Sequence, residues 1–106
     1  MSSVALRASE NYIKLILETD KKQAKLLISS PTNVQVKALT EIAFNLLYQS
    51  IPNKYKRLVN KSKKFLKKLA KIGGSIKTKL SLIKKNSETI LKLLLLIKDS
   101  LLELLS

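Results

Sequence analysis

The chain has 106 residues with no cysteine and no histidine, which excludes disulfides, thiolate metal sites and the commonest general base and metal ligand. Its formal net charge is +14, from 21 lysines and arginines against seven aspartates and glutamates, and 45% of its residues are apolar. That length suits a single domain over 1–106, and the apolar share excludes a wholly disordered basic tail.

The alternating, β-branched pattern of strands is absent, and apolar residues recur at helical spacing throughout. A first helix is predicted from about Ser3 to Glu18, with Val4, Leu6, Tyr12, Ile13, Ile16 and Leu17 inward. Asp20 is the expected N-cap of a short second helix containing Ala24, Leu26, Leu27 and Ile28. Ser29-Ser30-Pro31 ends it, because proline disfavours helix at the residue before it. Thr32 with Gln35 fits a capping box, and Val36, Leu39, Ile42, Ala43, Leu46 and Leu47 then form a core stripe.

Pro52 suits the first turn of the next helix, where its missing N–H costs nothing. Along that helix Tyr55, Leu58, Val59, Ser62, Phe65, Leu66, Leu69 and Ile72 step by three and four, while nine cations take the other faces. Gly73 is its expected C-cap. Ser75 opens a short helix to Lys85 with Ile76, Leu80 and Ile83 inward. Asn86 or Ser87 caps a leucine-rich helix over 87–105, with Glu88 in its first turn favourable to the helix dipole. That helix, including Leu91, Leu93 and Leu104, is apolar over more than half its circumference. It is expected to be the central helix of the bundle or an oligomer contact through Leu94, Ile97, Leu101 and Leu105. Lys92, Lys98, Asp99 and Glu103 interrupt it, and a membrane span needs about twenty mostly apolar residues. The expected architecture is all-α: a compact bundle of five or six short helices with one strongly basic side.

Charge is distributed very unevenly. From Ile42 to Ser87 there is no acid but thirteen cations: Lys54, Lys56, Arg57, Lys61, Lys63, Lys64, Lys67, Lys68, Lys71, Lys77, Lys79, Lys84 and Lys85. The basic helical segment therefore covers 53–85. Uncompensated charge of one sign repels itself and disfavours a compact fold, and like charges three or four residues apart destabilise a helix. The thirteen are the candidate nucleic-acid contacts. Nineteen of the 21 cations are lysine, a hydrated point charge without the planar fork by which arginine reads guanine edges. Backbone contact with little sequence preference is expected. The five aromatics are Tyr12, Phe44, Tyr48, Tyr55 and Phe65, with both phenylalanines on core stripes. A single-strand binder needs exposed rings for stacking, so duplex DNA fits better.

Seven scattered carboxylates, no histidine, no cysteine and no Gly-rich phosphate loop give no catalytic constellation, so no enzyme, cofactor or metal site is expected. Met1 to Leu17 lacks the features of a signal peptide, and Ser2 lacks the myristoylation signal. Residence inside a cell, or in a virion core or nucleus if the protein is viral, is expected.

The string Gln35-Val-Lys-Ala-Leu-Thr-Glu-Ile-Ala-Phe-Asn-Leu-Leu47 follows Lys25-Leu-Leu-Ile-Ser. It precedes Lys56-Arg-Leu, Lys63-Lys-Phe-Leu-Lys-Lys-Leu-Ala and a lysine-rich turn up to Asn86. This arrangement, over about Gln23 to Asn86, resembles small basic proteins of Polinton (Maverick) elements and of adintovirus-like and adenovirus-like DNA viruses. The resemblance implies a small viral protein that condenses DNA in the virion core. The chain departs from that pattern in using lysine where those proteins are richer in arginine, and in its clean C-terminal helix from Glu88.

The function expected from the sequence is non-specific binding and condensation of double-stranded DNA through a lysine-rich helical face. Two alternatives use the same residues. One is a membrane-active protein, since lysine-faced amphipathic helices around a glycine hinge also suit an anionic membrane. The other is an interaction module for an acidic partner. Self-association through the C-terminal helix is expected as a route to bridging duplexes.

Overall fold

The computed structural model describes residues 4–49, 51–71 and 73–105, the side chain of Leu104 excepted. The expected helix start at Ser3 and the place of Ile72 on the apolar stripe lie outside the described residues. Among those described, nine helices occur: α1 Val4–Ala8, α2 Glu10–Glu18, α3 Lys21–Ser29, α4 Asn33–Tyr48, α5 Asn53–Lys61, α6 Lys63–Ala70, α7 Ile76–Lys85, α8 Ser87–Leu96 and α9 Lys98–Leu105. No strand is present among the described residues.

Local caps form where short polar side chains precede apolar runs. The Gln23 N–H donates to Asp20 Oδ1 at 2.9 Å, so Asp20 satisfies one of the unpaired donors that open α3. At α4 the box is reciprocal: Gln35 N–H donates to Thr32 Oγ1 at 3.2 Å, and Thr32 N–H donates to Gln35 Oε1 at 2.9 Å. Ser75 caps α7 more loosely, accepting from Thr78 N–H at 3.5 Å.

Three of the six expected helices are each divided in two. The divisions fall at Ser9 (φ −113, ψ 21), Ser62 (φ −97, ψ 5) and Ile97 (φ −103, ψ 19), all near the bridge region between helix and extended backbone. The next helix starts at each of these residues, where Ile13 N–H donates to Ser9 O, Leu66 N–H to Ser62 O and Leu101 N–H to Ile97 O. The two halves then pack on different neighbours: α1 lies on α4 while α2 lies on α3, and α6 lies on α4 while α5 touches α8. The whole molecule measures 32 × 27 × 27 Å.

The axis of the bundle is α4, which corrects the expectation that the C-terminal helix would be central. Val36, Ala38, Leu39, Ile42, Ala43 and Leu46 of α4 are buried, and the helix packs most extensively on α6 and α1. Leu66, Leu69 and Ala70 of α6 and Leu6 of α1 meet it. On another flank α3 packs against α2 and α8, and the buried Tyr12 donates its O–H to Leu27 O at 3.0 Å, fastening α2 to α3. Burial raises the Tyr12 phenol well above its ordinary range.

The expected oligomer contact is corrected as well. Leu94, Leu101 and Leu105 are buried inside the single chain, and Ile97 is half-buried against the same core. They face α2, α3 and the rest of the bundle because α8 and α9 must cover the flank that α4 does not. The leucines that α8 leaves exposed are Leu95 and Leu96.

Candidate nucleic-acid interface

Helices α5, α6 and α7 carry the acid-free segment, and α6 packs against both of the others. Their inward faces are apolar: Val59 of α5, Leu66, Leu69 and Ala70 of α6, and Ile83 of α7 are buried. Burying those faces turns the lysines outward. On α5, Lys54, Arg57 and Lys61 step by three and four, with Lys56 beside them, and all four are exposed. On α6, Lys63, Lys64, Lys67 and Lys68 are exposed, and Lys71 follows at the C-cap. On α7, Lys77, Lys84 and Lys85 are exposed. Twelve of the thirteen candidate cations thus reach solvent.

None of the twelve is paired with a carboxylate among the described residues. The ion pairs among the described residues join Lys14 to Glu10, and Lys21 and Lys25 to Glu88, and none involves a cation of α5, α6 or α7. One cation has a ring beneath it: Lys54 Nζ lies 5.1 Å from the Tyr55 centroid. Other rings are largely engaged. Phe44 and Phe65 pack against the core, and Tyr48, though exposed, stands 4.8 Å from Phe44 between ring centroids.

Lys79 is the thirteenth, and it is not a surface contact. It is only 6% exposed, and its Nζ donates to Thr40 Oγ1 on α4 at 3.1 Å. The Thr40 hydroxyl in turn donates to Val36 O at 2.9 Å. Burial pushes the Lys79 ammonium below the ordinary lysine value, since desolvation disfavours the charged form. The reason lies in helical spacing. Position 79 falls three after Ile76 and four before Ile83, on the face that α7 turns toward the core.

Between α6 and α7 the chain reverses through Gly73, whose φ of +78 is a conformation that favours glycine. Gly74 follows, and a Cβ there would approach the Lys79 Cε to 3.2 Å. The turn and the buried lysine are therefore packed against each other.

The sequence reading passed over Lys21, Lys22 and Lys25 at the start of α3. Glu18 and Asp20 beside them make that stretch look balanced, although the i, i+4 spacing of Lys21 and Lys25 places both on one face. The structure brings both to Glu88, at 3.7 and 4.0 Å.

No protein-family model, no curated protein and no solved structure matches this chain. Among the described residues, no helix is long and apolar enough to cross a membrane.

Proposed function

We propose that this protein binds double-stranded DNA without sequence preference and helps to compact it, the exposed cations of α5, α6 and α7 acting as one surface. The observation that carries this reading is that twelve exposed cations on three neighbouring helices have no carboxylate partner among the described residues. Like charges at i, i+3 and i, i+4 spacing cost a helix about 0.2–0.5 kcal/mol a pair, so the arrangement gains its reason from an anionic partner. On such a partner, lysine ammonium groups replace condensed counterions along the phosphates. The resemblance to small basic proteins of DNA viruses and Polinton elements is in keeping with this, and a virion core is the proposed setting.

The membrane reading is disfavoured. The apolar faces of these helices are held in the core, Val59, Leu66, Leu69 and Ile83 among them, so insertion into lipid would first require the bundle to open.

A salt titration on random duplex DNA tests the proposal. With six to nine phosphates contacted, log K falls against log salt with a slope of about −5 to −8. Reversal of Lys63, Lys64, Lys67 and Lys68 to Glu is expected to weaken binding at low salt by about a hundredfold or more, with far-UV circular dichroism unchanged. Retained affinity in that variant would overturn the assignment. Stronger binding to single strands or to anionic vesicles than to duplex would redirect it.

A further inference from the structure

Three lysines outside the acid-free segment share a cleft. Lys21, Lys22 and Lys25 line an open cleft of about 550 Å³ together with Leu26, Ser29 and Ser87, where the first turn of α3 faces the start of α8. Lys21 and Lys25 each take one oxygen of the Glu88 carboxylate, Oε1 at 3.7 Å and Oε2 at 4.0 Å. All three side chains are substantially exposed, and ion pairs this long and this wet hold weakly.

The start of α8 is itself receptive to an anion. Its N-cap residue Asn86 makes no side-chain capping hydrogen bond, and its Nδ2 donates backward to Leu82 O at 2.9 Å. The first-turn N–H groups and the positive end of the α8 dipole are left without a side-chain acceptor at the cap. Lys84 and Lys85, both exposed, end α7 immediately ahead of this point, and α3 packs against α7 as well as α8. The cleft thus adjoins the cations already described.

We propose that this cleft is a second phosphate-docking site of the same polyanion surface, and that the Glu88 carboxylate is an intramolecular stand-in which a backbone phosphate displaces. The chemistry matches. A phosphodiester spreads one negative charge over two non-bridging oxygens, as the carboxylate does, and the two lysines already divide such a pair between them. Lys22 and the Ser87 hydroxyl line the same cleft and supply further donors. Glu88 then works as a brake. It lowers affinity at this end of the surface, and its release accompanies full engagement. The inference rests on the reading of duplex DNA as the partner.

The test uses the whole chain and a random duplex, with circular dichroism melts as the control for folding. Replacing Lys21, Lys22 and Lys25 together by Gln is expected to reduce the magnitude of the salt slope by about two to three. Glu88→Gln is expected to tighten binding about two- to fivefold at low salt. Asp99→Asn, which removes the same charge on α9, is expected to tighten it less. An unchanged slope in the triple variant, or equal tightening by Glu88→Gln and Asp99→Asn, overturns the cleft while leaving the α5–α7 reading in place. Loss of slope in the triple variant alongside full affinity in the Lys63, Lys64, Lys67 and Lys68 reversal would uphold the cleft and overturn that reading. A native chain that binds no duplex at low salt overturns both.

Discussion

Lys79 is an ammonium group inside a bundle whose other candidate cations lie in water, and its cost depends on a single acceptor, Thr40 Oγ1. Removing that acceptor while leaving the amine buried is expected to destabilise the protein by about 1–3 kcal/mol in Thr40→Val, because an unpaired buried polar group forfeits its hydration without return. Lys79→Met replaces the stem with an apolar side chain of similar length and is expected to be neutral or stabilising. The Thr40→Val cost should then shrink in the double variant, a coupling that urea unfolding of the four proteins measures. The pH dependence has a definite sign. The folded-state value of Lys79 lies below the ordinary 10.5, so the unfolded chain takes up this proton first as pH falls. Its contribution therefore rises with pH through the range just below 10.5 and levels off above it. That rise should be absent from Lys79→Met. Tyr12 acts oppositely, since its raised value makes the fold lose stability once pH passes the ordinary phenol range, and Tyr12→Phe separates the two.

At the scale of the element, the C-terminal pair α8 and α9 turns a leucine-rich segment into a two-sided object. Leu94 is 1% exposed and Leu95 46%, although they are adjacent and chemically identical. Leu94→Ala is expected to cost about 2–5 kcal/mol through the cavity it leaves, whereas Leu95→Ser should change stability by less than about 0.5 kcal/mol, both read from chemical denaturation. The caps at Asp20, Thr32 and Ser75 were legible because each is set by a residue and its neighbour three positions on. Core stripes were legible for the same reason of spacing, except at Val4, expected inward but 87% exposed at the start of α1. The bends at Ser9, Ser62 and Ile97 were not, because apolar periodicity continues on both sides of each. For Lys79 the spacing did point inward, and the charge of the side chain argued the other way. Which leucines of 87–105 would be covered could not be read at all, since that depends on where α2 and α3 come to lie.

For the molecule as a whole, the excess of +14 works against its own cohesion. Screening should relieve this. Raising salt from about 20 to about 300 mM shortens the Debye length to well under 10 Å. If that removes about 1 kcal/mol of repulsion, Tm should climb by about 4–8 °C, as followed by circular dichroism. A duplex added at low salt should raise it too, because it binds the folded form preferentially. A Tm indifferent to salt would mean that the charge is already balanced. One consequence reaches past this single chain. None of the twelve exposed cations is tied to a carboxylate among the described residues, so a lysine can trade places with a neighbour, or become arginine, with little penalty. Over generations the tally of positive groups would be held while their addresses wander, above an inherited ladder of leucine and isoleucine. Kinship among such sequences would survive in what the bundle hides and fade first from what it displays.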